Sequence, residues 1–446
     1  MEFIFIYLSY QEVSSFHHAK ILIFMKNRIL IFSSSLFLLF GCGSGGSEGT
    51  TPPAPFANNV IIVTISASAS EVEVGQSVEI SHSVSGAVPN SCIASGDWSG
   101  TKSPLGNTEE VIITKTGTNT FTITCSAPGK VPDSATVNVT GLVARVDITN
   151  SIFSKRSNDC LEYAENYSSN VRDLTRVLDF DGYVDIASSE EFCEIYSDNI
   201  PNHDFNDSSA GFAHDAIEIE RIFQIKRSPQ QASQNSPIMR NTWDAIMLNG
   251  VVVDLKSAGC YSPTSSNANP DGNIPAGCNQ SAQWNLVPLE YKSMFRVDIH
   301  NAHVQGDGTY HYHGNPNAMF DDSPSGDGSP LIGFAADGFP IYGSYILDDT
   351  TGSFRKVLSG YTLKEGTRGS QSNSNPGGSY SGIYEEDWEW TDAGDLDECN
   401  GMTFKGSYGY YVTDGYPYIL NCFKGTINSS FQKYLICLFP WRERII

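Results

Sequence analysis

Four histidines stand within residues 300–313: His300, His303, His311 and His313. Neutral imidazole is a strong ligand for zinc and copper, so the question is which of the four can meet on one ion. The last two lie in Tyr310-His311-Tyr312-His313. In an extended chain alternate side chains share a face, so His311 and His313 point one way and Tyr310 and Tyr312 the other. A third ligand depends on how VDIHNAHV pairs with TYHYHG across the turn QGDG. A three-residue loop, Gly306-Asp307-Gly308 with Gly308 left-handed, sets Gln305 opposite Thr309 and His303 opposite His311. A loop one residue shorter or longer would bring in His300 instead. Glycine stands where the bulge needs it, which favours His303. The expected site is therefore His303, His311 and His313, three neutral imidazoles with an open fourth position. That donor set suits zinc or copper, copper being preferred in an oxidised compartment. A carbonyl or carboxylate on each ring's other nitrogen would fix its tautomer. The competing reading makes the same side chains a hydrogen-bonded polar sheet face.

Other candidates are weaker. His203, between Asn202 and Asp204, is either a fourth ligand or a loop cap. Asp337 in GFAADGFPIYG either supports a ligand or makes an ordinary Asp-Gly turn. Asp321, Asp322 and Asp327 have the flavour of a calcium loop without the EF-hand spacing, so calcium is a possibility and a solvated loop the expectation. DLDECN at 395–400 resembles the start of a calcium-binding EGF module whose later cysteines do not follow. His82 stands alone on a strand and reads as a structural or surface residue. No nucleophile elbow, Walker loop or His-Glu-x-x-His motif occurs in a usable context.

These residues sit in a chain whose start reads as an export signal. Met25-Lys26-Asn27-Arg28 and the apolar run ILIFSSSLFLLFG precede Cys42, a basic-apolar-small pattern too short to span a bilayer. Leu39-Phe40-Gly41-Cys42 resembles a lipobox, so the expectation is a lipid anchor on Cys42 at the outer face of a bacterial membrane, with secretion as the alternative. Translation is expected to begin at Met25, which removes His17 and His18. The formal charge of −23 disfavours nucleic acid. Ten cysteines in an exported chain read as disulfides. Proximity pairs Cys92 with Cys125, Cys160 with Cys193, Cys260 with Cys278, and Cys399 with Cys422, leaving Cys437 over.

Residues 1–41 are thus leader and 42–57 a glycine-serine-proline tether. Alternating runs over 58–143 predict an Ig-like β-sandwich, with Cys92, Cys125 and the intervening Trp98 as inter-sheet bridge and buried tryptophan. Residues 144–431 form a larger β-rich domain. One helix is expected over DCLEYAENYSSNVRDLTRVL (159–178), a strand over MFRVDIHNAHV, and a mobile exposed loop from Tyr361 to Gly382. Residues 432–446 are an atypical tail. The fold class is mostly β with minor α.

The large domain resembles the YHYH family of bacterial exported proteins, named for the tetrapeptide at 310–313. The similar segments run in the family's order: IPNHDFND (200–207), IMLNGVVVDL (246–255), NAHVQGDGTYHYHGNP (301–316), LIGFAADGFPIYGSY (331–345), DLDECNG (395–401) and YYVTDGYPYILNCFKGT (410–426). The family turn commonly reads Gln-Pro-Asp-Gly where this chain has Gly306. That pattern favours the same three-residue turn, and so His303 over His300. The resemblance implies no settled reaction. Two functions follow as expectations: a metal-binding surface protein, or a non-catalytic adhesion or glycan-binding module. The expected partners are the membrane, through the anchor, and cell-surface or environmental polymers.

Overall fold

The computed structural model describes residues 60–279 and 281–433. Cys42, the leader, the tether, Cys437 and nearly all of the tail lie outside them. The fold is mostly β with a few short helical turns.

The first strands alternate as their sequences predict. Along Ile61–Ala67, Ile61 and Val63 are buried while Ile62 faces out. Three strands (Ile61–Ala67, Ser77–Gly86, Asn107–Ile112) make one sheet. Five (Glu71–Glu73, Asp133–Leu142, Gly117–Ser126, Ser91–Gly96, Gly100–Lys102) make the other. They enclose a core that includes Ile80, Phe121, Ile123 and Trp98. The Cys92–Cys125 bridge forms, but within one sheet and not between two. The two cysteines face each other on paired antiparallel strands with Cα atoms 4.1 Å apart. Such a short separation belongs to a non-hydrogen-bonded cross-strand pair. Trp98 is nevertheless buried, edge-on to Phe121, its indole N–H donating to the Thr122 carbonyl.

The expected helix over 159–178 is overturned. Only Cys160–Tyr163 turns, as a 3-10 helix capped by Asp159. Asn166–Asp173 then runs as a strand whose inner residues Ser169, Val171 and Asp173 alternate with exposed ones. A period of two wins because this segment pairs along its length with Leu178–Ser188, and Cys160 is tied to Cys193 on the next strand. The Asp173 carboxylate accepts the Arg176 N–H, closing the turn. These strands belong to a five-stranded sheet.

An eight-stranded sheet carries the histidines. Its strands in chain order are β1 (Ala245–Met247), β2 (Val252–Val253), β3 (Ala302–Val304), β4 (Tyr310–Tyr312), β5 (Leu331–Ala335), β6 (Pro340–Tyr342), β7 (Gly401–Phe404) and β8 (Ser407–Tyr411). Their order across the sheet is β3-β4-β2-β1-β5-β6-β8-β7. Most residues of the inner strands are buried, as expected of a sheet covered on both faces. The strand expected over MFRVDIHNAHV is mostly something else. Lys292–Phe295 forms a short helix, α1, ended by Arg296 at φ 56°, and pairing begins only at Ala302. The loop after Tyr361 is largely exposed as expected, but it is pinned at its centre. Arg368 donates two hydrogen bonds to the buried Asp387 carboxylate. The three other proximity-paired disulfides form at Cys160–Cys193, Cys260–Cys278 and Cys399–Cys422. Among the described residues no helix is long and apolar enough to cross a membrane.

Candidate metal centre

The hairpin β3-β4 closes with the three-residue loop. The Gly308 N–H donates to the Gln305 carbonyl, the Gln305 N–H to the Thr309 carbonyl, and Gly308 has φ 89°. This places His303 directly opposite His311. His300 lies before the strand begins, with its Nδ1 2.6 Å from the Pro316 carbonyl. A Cβ at 308 would approach Ile217 Cγ1 to 2.5 Å, so glycine is needed there for space as well as conformation.

The rings of His303, His311 and His313 form a nearly regular triangle, with centroids 4.7, 4.8 and 4.9 Å apart and planes 69–77° to one another. One nitrogen from each lies within 4.8 Å of the other two. The tautomers follow from the neighbours. His303 Nδ1 is 2.6 Å from the Phe295 carbonyl and His311 Nδ1 is 3.1 Å from the Thr309 carbonyl. A carbonyl only accepts, so both Nδ1 atoms carry protons and both Nε2 atoms present bare lone pairs. His313 Nε2 lies 3.1 Å from His303 Nε2, while His313 Nδ1 has no hydrogen-bond partner of good geometry.

Burial keeps the rings neutral. It lowers the pKa of His303 to about 3, aided by the His311 ring, and that of His311 to about 4. His313 is pushed well below the ordinary range by burial and then by His311 and His303. Three neutral donors facing one point, two of them locked by backbone carbonyls, fit a divalent zinc or copper ion. His313 also lines a small cleft with Leu255, Leu289, Glu385, Tyr416 and Tyr418, whose free space of about 20 Å³ holds one water-sized body.

The tyrosines of the tetrapeptide do the opposite job. The Tyr310 hydroxyl donates to Asp298. The Tyr312 hydroxyl accepts from Asn249 Nδ2 at 2.9 Å and meets His203 Nε2 at 2.7 Å. His203 Nδ1 is 2.8 Å from the Asp204 carbonyl, so its Nε2 accepts the phenol proton. Its ring stacks on His300 with centroids 3.7 Å apart. His203 thus stands on the tyrosine side of the strand with both nitrogens engaged, and the structure does not bring it to the triad. Nor does it bring Asp337, whose carboxylate accepts from Tyr410, Gly425 and Phe339 and so ties the β5-β6 turn to the chain near Gly425.

The acidic loops take protein partners. Asp322 accepts from the Tyr345 hydroxyl, Asp327 pairs with Lys405, and Asp321 caps the Ser323 N–H. Asp397 accepts from the Cys399 and Gly401 N–H groups and pairs with Lys424. Asp159 lies near the Cys160–Cys193 bridge, but those sulfurs are spent in a disulfide and Asp159 is held by Arg227. His82 is buried in the sandwich with Nε2 on the Ser103 carbonyl.

Sequence reasoning missed Asp244 and Asp254. Both are buried, and each has one oxygen without a hydrogen-bond partner. Only the turn between them was legible in the sequence. Leu248-Asn249-Gly250 forms the same three-residue loop as the histidine hairpin, with Gly250 at φ 85° and the Met247 N–H donating to the Val251 carbonyl. Ile246 then faces Val252 and Ala245 faces Val253, and Asp244 and Asp254 stand one residue beyond the ends of the two short strands, the Asp244 N–H donating to the Val253 carbonyl.

A family model described as "YHYH protein" matches residues 222–425. Comparison with curated proteins and with solved structures gives no match. The matched span contains the hairpin, the three clustered histidines and every strand of the eight-stranded sheet. Residues 222–425 thus form a domain of the YHYH family.

Proposed function

We propose that this is an exported metal-binding protein in which His303, His311 and His313 hold one zinc or copper ion. The observation that carries the reading is the triangle of buried, neutral rings whose Nδ1 protons at His303 and His311 are committed to carbonyls. A packing role alone would leave their Nε2 lone pairs buried with too few protons to satisfy them. Two of three rings have no Nε2–H to give, so at most one proton, that of His313, faces the two bare lone pairs of His303 and His311. A cation removes that deficit. The four disulfides agree with an oxidising compartment. The basic-apolar run ending at Cys42 supports a lipid anchor, which metabolic labelling with palmitate and a Cys42→Ser variant would test.

The decisive experiment is metal content of the exported chain after exposure to zinc and to copper, followed by removal of loose metal. One equivalent is expected in the wild type and none in the His311→Ala, His313→Ala double variant. Equal and near-zero metal in both would refute the assignment. A cation with three protein ligands keeps a position for water or a small ligand, and the cleft beside His313 is where such a ligand would reach it.

A further inference from the structure

We infer that the metal centre extends beyond its three histidines to Asp254 and Asp244, whose carboxylates supply the negative charge that a buried divalent cation requires. The inference rests on the histidine reading above and adds the residues that set the site's charge.

Three neutral imidazoles carry no charge, so they leave a buried dication uncompensated. The sheet register shows where compensation lies. Val252 pairs in parallel with His311 and Val253 with Tyr312, and the Asp254 N–H donates to the Tyr312 carbonyl. Asp254 is therefore the neighbour of His313 on the same face, because cross-strand partners share a face. Asp244 meets the same end of β2, its N–H donating to the Val253 carbonyl and its Oδ2 accepting from the Leu255 N–H. His303, His311 with His313, Asp254 and Asp244 thus form a row across four adjacent strands or their ends.

Two features mark the carboxylates as more than filler. Asp244 Oδ1 and Asp254 Oδ1 are both buried without a hydrogen-bond partner. Buried polar atoms are nearly always satisfied, and a gathering of orphans points to a bound ion or its ordered water. The pair also has little compensation close by. The remaining oxygens are held by Lys433, 2.5 Å from Asp254, and by the Leu255 N–H, 2.7 Å from Asp244. Lys433 is the one ammonium in contact with the pair, and a dication at the triad would favour both carboxylates in their ionised form. Arg240 and Lys256 act on the pair from further away.

The electrostatic role makes predictions of opposite sign. Zinc affinity would be measured by competition with a chromogenic chelator for the wild type, Asp254→Asn, Asp244→Asn and Lys433→Met. Asp254→Asn keeps shape and removes charge, and it should weaken zinc binding at least tenfold; Asp244→Asn should weaken it in the same direction. Lys433→Met removes the competing cation and should tighten it. A role in packing alone would weaken binding in all three. Zinc binding within threefold of wild type in Asp254→Asn, or a loss of affinity in Lys433→Met while circular dichroism shows it folded, would overturn the inference and leave the histidine assignment standing. A wild type that takes up no zinc sinks both.

Discussion

The burial of the triad makes a sharp prediction about pH. A site of three exposed imidazoles with the ordinary pKa of about 6.5 is some three-quarters neutral per ring at pH 7 and about 3% neutral at pH 5. Since the ligand must be unprotonated, each ring would cost about 25-fold in affinity between those values, and three together about 10⁴-fold. In this fold His303 titrates near 3 and His311 near 4, with His313 well below the ordinary value. At pH 5 about nine-tenths of His311 and almost all of His303 are still neutral. Zinc affinity should therefore fall by less than about twofold from pH 7 to pH 5, and collapse only as His311 begins to protonate around pH 4. Isothermal titration of zinc into the apo chain at pH 7, 6 and 5, in buffers that do not bind zinc, measures this directly. A fall of a thousandfold or more would show that the rings open to water before they bind, and would refute the preformed site.

Stability is the wrong readout for the same question, and the signs explain why. The folded pKa of each triad histidine is depressed, so the unfolded chain binds more protons below pH 6.5. Their contribution is fully present above that value and is lost, at about 1.4 kcal/mol per ring per pH unit, as pH falls toward 4. Asp198 and Glu386, raised to about 7 by burial, and Asp244, raised to about 8 by burial and Asp254, act oppositely. Their stabilisation is fully present below about pH 4 and is lost progressively as pH rises from there through 7 to 8. The two sets offset each other between pH 5 and 7, so only binding isolates the triad.

Three further outcomes follow from named contacts. Tyr312→Phe leaves the buried His203 Nε2 and Asn249 amide without their shared hydroxyl, so urea unfolding should show a loss of about 1–3 kcal/mol, while zinc stoichiometry holds because the phenol faces away from the triad. Gly308→Ala forces a side chain to φ 89° and against Ile217; a loss of about 1–3 kcal/mol from strain alone and weakened zinc binding are expected, since the His303–His311 register rests on that turn. Arg368→Ala strands the buried Asp387 carboxylate and should cost about 3–5 kcal/mol by the same urea assay; Arg368→Lys should recover little of it, because lysine cannot supply the paired donors that now hold both oxygens.

Much of the centre was readable from residues alone because it is made of local geometry. Alternation put His311 and His313 together, and a glycine at the bulge position of a three-residue turn put His303 opposite them. Both are properties of a hairpin whose partners are adjacent in sequence. The same holds for the disulfides, whose closing loops are short. What failed was what depends on distant partners. Residues 159–178 carry a passable helical pattern, yet pairing with the following strand and a bridge to Cys193 draw most of it into a sheet. Cys92 and Cys125 were legible as a pair, but whether a bridge joins two sheets or two strands of one is decided by which strands lie side by side. His203 looked like a ligand from its type, and only the packing of its loop against Tyr312 shows that both nitrogens are used elsewhere. Asp254 is the clearest case. Nothing in its neighbours in sequence marks it, and it reaches the histidines only because β2 lies parallel to β4, a contact between segments nearly 60 residues apart that no local rule dictates.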